Sequence, residues 1–333
     1  MGLACLARMP CAADPVSRLR ENLPRREARF LDFARRIVFR NTRHPYHAMF
    51  QLAGCSYEDL AESVHRDGLE AALAGLHCAG VYLAHDEFKG KQPIVRSGLR
   101  IEAQPEDFLN PLVEGVMDHS SSGSRSKGTR TPLNMAFETH REAYEDLTAA
   151  EFGLEGQCRL DLKPILPSAS GLLPALRTLR QGRRLEAWYA MGGGQDSLHY
   201  RMATGFMVAA VRLAGLPMPF PVYLPPNDFL PVATHLARLK REGRRCLFSA
   251  FLSPAVRVAA AAMENKLDIG GTLFRVVGEA LTDSKRAVIE AAGAEVFAHY
   301  GIAEVGPIGP GFFVFFHHAA SRGAVLFDQR GNG

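Results

Sequence analysis

From Arg159 onward the chain repeats one pattern, a short β-prone run, a turn, and then a longer run with helical spacing. RLDLKPILP precedes SGLLPALRTLRQ, RLEAWYAM precedes LHYRMATGFMVAAVRLAG, and FPVYL precedes PVATHLARLKREG. RRCLFSAFL then precedes PAVRVAAAAMEN, TLFRVVGEA precedes DSKRAVIEAAG, and AEVFAHYG closes the series. Strands that alternate with helices predict an α/β fold with parallel-rich sheets covered by helices. In such sheets a ligand binds outside the carboxyl ends of the strands, so the turns there are the first places to look.

Before this series the texture differs. Phe30, Phe33, Ile37 and Val38 recur at helical spacing, while Arg25, Arg26, Arg29, Arg35 and Arg36 fall largely elsewhere, which predicts a helical region up to about Asn41 with a solvated basic face. PYHAMFQLAG and YEDLAESVHRDGLEAALAGL read as short helices, the second interrupted at Asp67-Gly68. VRSGLRIEA reads as one strand, and LVEGVMDH as another that leads into a serine-rich stretch from His119 to Pro132.

With 333 residues, 47% apolar and 22% charged, the chain can bury a large core and is expected to hold more than one subdomain. A net charge of +4 permits an anionic small molecule but is too weak to imply nucleic acid. No apolar run approaches the roughly 18 to 20 residues of a membrane span, and the start MGLACLARMPCAADP is too broken for a signal peptide, so the expected location is cytoplasmic. Cys5, Cys11, Cys55, Cys78, Cys158 and Cys246 form no C-x-x-C pair, which fits free thiols in a reducing compartment.

Three turns qualify as ligand loops: the serine-rich stretch, the GEALT turn after TLFRVV, and the YGIAEVG turn after AEVFA. A phosphate needs several short donors arriving together with little bulk around them. Ser121, Ser122, Gly123, Ser124, Arg125, Ser126, Lys127 and Thr129 supply hydroxyls, a permissive backbone and charge. A P-loop would place lysine and a hydroxyl residue after Gly128, where Thr129 and Arg130 stand instead. Read alone, the stretch fits a polar linker equally well. Trp188, Tyr189 and Phe206 are the aromatic residues weighed as pocket walls against the core. G-x-S-x-G is absent, and Gly192-Gly193-Gly194 completes no dinucleotide fingerprint.

Taken in order, Ser121-Ser122-Gly123-Ser124, then VVGEALT, then Tyr300-Gly301-Ile302-Ala303-Glu304 resemble the motifs of adenylate-forming enzymes, the acyl-CoA synthetase and ligase superfamily. The run VVGEALTDSKRAVIEAAGAEVFAHYGIAEVG is most similar to the phenylacetate-CoA ligase branch. The resemblance covers roughly residues 44 to 311 and implies a division into an N-terminal helical region (1–43), an incomplete AMP-binding-like α/β core (44–311) and an atypical tail (312–333). It implies that Ser121, Ser122, Gly123, Ser124, Lys127 and Thr129 hold the phosphates of ATP, with Arg125 as a charge partner. Gly278, Glu279 and Ala280 would line the adenine pocket, and His299, Tyr300, Gly301 and Ile302 would pack along the nucleotide. Glu304 would help hold Mg²⁺, and Glu304, Ser124 and Arg125 would carry the catalytic roles.

The implied reaction is attack of a carboxylic acid on the α-phosphorus of ATP, giving an acyl-adenylate and pyrophosphate. Coenzyme A or an acyl-carrier thiol then takes the acyl group. Arg125-Ser126 and Gly128-Thr129 depart from the family's loop ending, and Ala303 replaces a frequent threonine. After GPIGPG the chain reads FFVFFHHAASRGAVLFDQRGNG, without the ribose-binding aspartate and lysine-bearing lid of the family. The expectation is therefore a shortened ligase whose own turnover is in doubt. Its rivals are a nucleotide- or carrier-protein-binding module without turnover and a P-loop-type phosphotransferase.

Overall fold

The computed structural model describes residues 15–110, 117–120, 130–133, 135–154, 156–191, 198–302 and 306–310. These fall into two compact units, one built mainly on Asp14–Asp118 and one on Met135 onward. No helix among the described residues is long and apolar enough to cross a membrane.

The first unit is mostly helical. Helices α1 (Pro15–Asn22) and α2 (Arg26–Phe33) are followed by a π-helical stretch, Ala34–Phe39, and then by α3 (Pro45–Leu52), α4 (Tyr57–Asp67), α5 (Leu69–Cys78) and α6 (His85–Phe88). Ser56 opens α4 with a capping box: its hydroxyl accepts from the Asp59 N–H, and the Asp59 carboxylate accepts from the Ser56 N–H. Gly68, at φ +83°, makes the break between α4 and α5 that the Asp67-Gly68 pair predicts. Leu31, Val38, Met49, Phe50, Leu60 and Val64 pack with Ile94 in one core, so helices on both sides of residue 43 share it. Arg26 pairs with Glu70 at 2.5 Å and Arg36 with Asp32 at 3.3 Å, both on an exposed face, as a solvated basic helix requires.

The run read as a single strand from Val95 is a hairpin. β1 (Ile94–Arg96) pairs antiparallel with β2 (Leu99–Ile101) across the two-residue turn Ser97-Gly98. Gly98 takes φ +79°, the geometry that tight hairpins need and that a strand reading overlooks. The Arg96 guanidinium, largely buried, binds both oxygens of Glu87 and the carbonyls of Gly80 and Tyr82. β3 (Met117–Ser120) and β4 (Arg130–Leu133) flank the serine-rich stretch in sequence.

The second unit opens with α7 (Met135–Glu151) and continues as β5 (Cys158–Leu162), α8 (Ala169–Arg180), β6 (Leu185–Met191), α9 (Leu198–Leu213), β7 (Val222–Leu224) and α10 (Leu230–Arg241). There follow β8 (Cys246–Phe251), α11 (Leu252–Glu264), β9 (Leu273–Val277), α12 (Asp283–Ala291), β10 (Glu295–Ile302) and β11 (Gly306–Pro310). The strands lie side by side in the order β11-β10-β9-β8-β5-β6-β7. All pairings from β10 to β7 are parallel, and β11 adds antiparallel to β10. The α/β rhythm of the sequence is thus a six-stranded parallel sheet flanked by helices, with one antiparallel strand at its edge.

The chain starts this sheet in the middle, at β5, moves outward through β6 and β7, then returns to the other side of β5 and moves outward again through β8, β9 and β10. That is a doubly wound sheet, and its switch point lies between β5 and β8. On one face Leu160, Phe248 and Phe274 pack against Val232, Leu236, Val258 and Ala259 of α10 and α11, all of them almost fully buried. β7 is the short outer strand, enclosed by Pro219, Pro221, Pro225 and Pro226.

Candidate functional site

β5 alternates. Cys158, Leu160 and Leu162 enter the apolar core, so Arg159, Asp161 and Lys163 must point to the opposite face. There they meet polar groups from the adjoining elements. Asp161, fully buried, accepts from Arg159 Nε at 2.5 Å, and Arg159 donates to the Thr178 hydroxyl of α8 at 2.7 Å. Arg275 of β9 pairs with Glu145 of α7 at 2.6 Å. Burial works against the Glu145 charge, yet Arg275, Arg177 and Arg159 hold its carboxyl well below the usual carboxylate range. Among the described residues Arg159 Nη2 and Asp161 Oδ2 have no hydrogen-bond partner. A cavity of about 20 Å³, enough for one water, lies between Glu145, Arg159, Thr178 and Arg275 on one side and Leu154 and Leu247 on the other.

Nearer the carboxyl edge the register sets Lys163 beside Phe251, next to Val277 and then His299. Lys163 lies just beyond β5, and its Nζ sits 4.6 Å from the centroid of the Phe251 ring. Burial pushes the Lys163 amine down to about 7. His299 Nδ1 is sealed from solvent with no hydrogen-bond partner among the described residues, and burial followed by the neighbouring Arg275 pushes its imidazole down to about 4.

The Gly278-Glu279 turn follows β9 on this same edge. Gly278 has φ +87°, and a Cβ there would stand 2.7 Å from Cδ1 of Phe251, so both conformation and space call for glycine. Glu279 reaches to the start of α11. Its carboxylate accepts from the Ser253 N–H at 3.2 Å, the Ser253 hydroxyl at 2.7 Å and Lys285 Nζ at 2.6 Å. The Lys285 and Ser253 hydrogen bonds hold the Glu279 carboxyl below its usual value. A carboxylate at a helix N-terminus meets unsatisfied N–H groups and the positive end of the helix dipole.

Tyr300 is exposed in β10, just past its pairing with β9 and one residue beyond His299. Gly301 and Ile302 continue β10 into its pairing with β11, with a bulge between Tyr300 and Gly301. Of the residues named from sequence, Gly278, Glu279, Ala280, His299 and Tyr300 therefore share the carboxyl edge of two neighbouring strands. Ser121, Ser122, Gly123, Ser124, Arg125, Lys127, Thr129 and Glu304 lie outside the described residues. Trp188 and Tyr189 belong to the core, the Trp188 indole donating to the Lys163 carbonyl at 3.0 Å, whereas Phe206 is 72% exposed on α9. Among the described residues no group of His, Cys, Asp and Glu side chains is gathered as a metal site.

Sequence reasoning passed over Lys163, Phe251 and Ser253. The available signal was in β5, where charges alternate with core residues in a segment whose fold class buries both faces. No protein-family model matches this chain, and no curated protein is significantly similar to it.

Proposed function

We propose that the chain carries the larger part of an ATP-dependent acid-activating site, of the kind that forms an acyl-adenylate and passes the acyl group to a thiol. The observation that carries this reading is the placement of the Gly278-Glu279 turn and Tyr300 at the carboxyl ends of adjacent parallel strands, beside the switch point of a doubly wound sheet. Two of the three motif turns, separate in the chain, thereby come to one edge, where ligands of such sheets bind.

An exposed aromatic ring at Tyr300 offers a stacking surface for an adenosine, and the Gly278–Ala280 turn follows the strand next to it. In the reaction a carboxylate oxygen forms a bond to the α-phosphorus while the bond from that phosphorus to the bridging oxygen breaks and pyrophosphate leaves. A thiolate then forms the thioester, and AMP departs. The protein's part is to orient the acid and to neutralise developing charge. Mg²⁺, a hard cation held by oxygen ligands including Glu304, would supply charge neutralisation on the phosphates.

The test is exchange of labelled pyrophosphate into ATP with a panel of aromatic and fatty acids. Acid-dependent exchange is the expected outcome. Nucleotide binding without exchange for any acid would instead leave a binding module, and transfer of the γ-phosphoryl group a phosphotransferase. Glu304→Gln should lower Mg²⁺-dependent exchange on the order of tenfold or more, about 1.4 kcal/mol, at unchanged thermal stability. An equal loss of folding would make Glu304 structural.

A further inference from the structure

The row of side chains just inside the carboxyl edge contains an amine that no described residue gives a hydrogen-bond acceptor. Lys163 is 5% exposed, and its Nζ meets the Phe251 ring but makes no hydrogen bond or ion pair with any described residue. An ammonium carries three donors, and burying one without acceptors is costly. The surroundings compensate only in part. Arg159 and Arg275 share this layer with Lys163, against Asp161 and Glu145, and burial pushes the His299 imidazole beside them down to about 4. Asp161 Oδ1 is taken by Arg159 and Glu145 by Arg275, so Asp161 acts on the ammonium through its charge and not through a hydrogen bond.

We infer that Lys163 anchors an anionic oxygen group, a carboxylate or a phosphoryl group, of a ligand seated at the switch point between β5 and β8. Lys163 follows the last residue of β5 and its row neighbour Phe251 ends β8, so the pair marks the place where the two halves of the sheet part. Phe251 is wedged between the ammonium and Gly278, which ties Lys163 to the same edge as Glu279 and Tyr300. An oxygen anion arriving from the carboxyl edge would give the ammonium the charge-assisted hydrogen bond it lacks. The inference rests on the ligase reading only for the two sources of that anion, the acid's carboxylate and the nucleotide's phosphate.

Thermal unfolding of the full chain and of Lys163→Met, with AMP, adenosine or phenylacetate at constant ionic strength, tests this. AMP stabilisation beyond that of adenosine would identify the phosphoryl source, and stabilisation by phenylacetate the carboxylate source. In either case Lys163→Met should weaken the apparent affinity about tenfold or more, the loss of one charge-assisted bond. Equal affinities in both proteins, or no stabilisation of the unmutated chain by either anion, would overturn the inference. Should Lys163→Met fail to fold, calorimetry on the unmutated chain at about pH 8 decides, using buffers of different ionisation enthalpy. Binding must then take up a proton, because Lys163 starts mostly neutral there and ends charged; binding without uptake overturns the assignment. Anion binding that depends on Lys163 in a chain that never exchanges pyrophosphate would remove the ligase reading and leave this one standing.

Discussion

Lys163 and His299 give the folded chain a defined pH response. The Lys163 amine falls from an ordinary 10.5 to about 7 on folding, with burial as the main cause. Between those values the unfolded chain binds more protons than the folded one, so stability rises with pH across that window and levels off beyond it. The groups around it are Asp161, Arg275, Arg159 and Glu145. Lys163→Met should abolish that rise, and below pH 7 it should be more stable than the parent by about 1–4 kcal/mol, since a buried charge is replaced by apolar bulk. His299, down from 6.5 to about 4 and facing Arg275, Glu145, Lys163 and Arg141, makes stability fall as pH drops through that lower range. His299→Phe should shallow this acid limb without erasing it, because the depressed Glu145 also loses its contribution as it protonates. Urea midpoints at stepped pH measure both effects. A flat profile from neutral to alkaline pH in the parent would contradict the Lys163 assignment.

Elements depend on close approach as much as on pattern. α8 begins at Ser168, whose hydroxyl accepts from the Ser170 N–H, and its Gly171 packs where a Cβ would stand 2.4 Å from the Pro164 carbonyl and 2.6 Å from the Trp188 ring. Neither neighbour can yield, one being backbone and the other the core indole. Gly171→Ala should therefore cost about 1–3 kcal/mol despite the better helix propensity of alanine. Phe206→Ser, on the exposed side of α9, should stay within about 0.5 kcal/mol. Denaturant midpoints separate the two, and a neutral Gly171→Ala would show that α8 can shift. The sequence reveals these helices and strands through periodicity alone, since each pattern is local. It conceals the β1–β2 hairpin, because Ser97-Gly98 changes the chain direction while Val95, Leu99 and Ile101 still fall on alternate positions.

For the sheet as a whole, the rhythm of strands and helices was legible but the neighbours were not. Nothing local says that β5 sits beside β8, yet that pairing creates the switch point and brings Lys163 to Phe251. This is why the turns after β9 and β10 could be named from sequence while Lys163 could not: turns carry their own residue signature, whereas a charged strand residue acquires meaning only from the strand next to it. If ATP binds at this edge, hydrogen exchange should slow at the carboxyl-end turns, residues 252–254 and 278–282, and remain unchanged at the amino-end turns, residues 243–245 and 270–272. Protection confined to the amino ends would relocate the site.

β7 offers only Val222, Tyr223 and Leu224 to a further strand, and Val222 is half exposed close to the equally open Phe220. An apolar, unpaired margin of this kind would ordinarily recruit other chains into a growing cross-strand ladder. Prolines on both sides remove the amide hydrogens that such a ladder needs in order to lengthen. The sheet can thus leave greasy side chains at its outer margin and still resist fibril growth there.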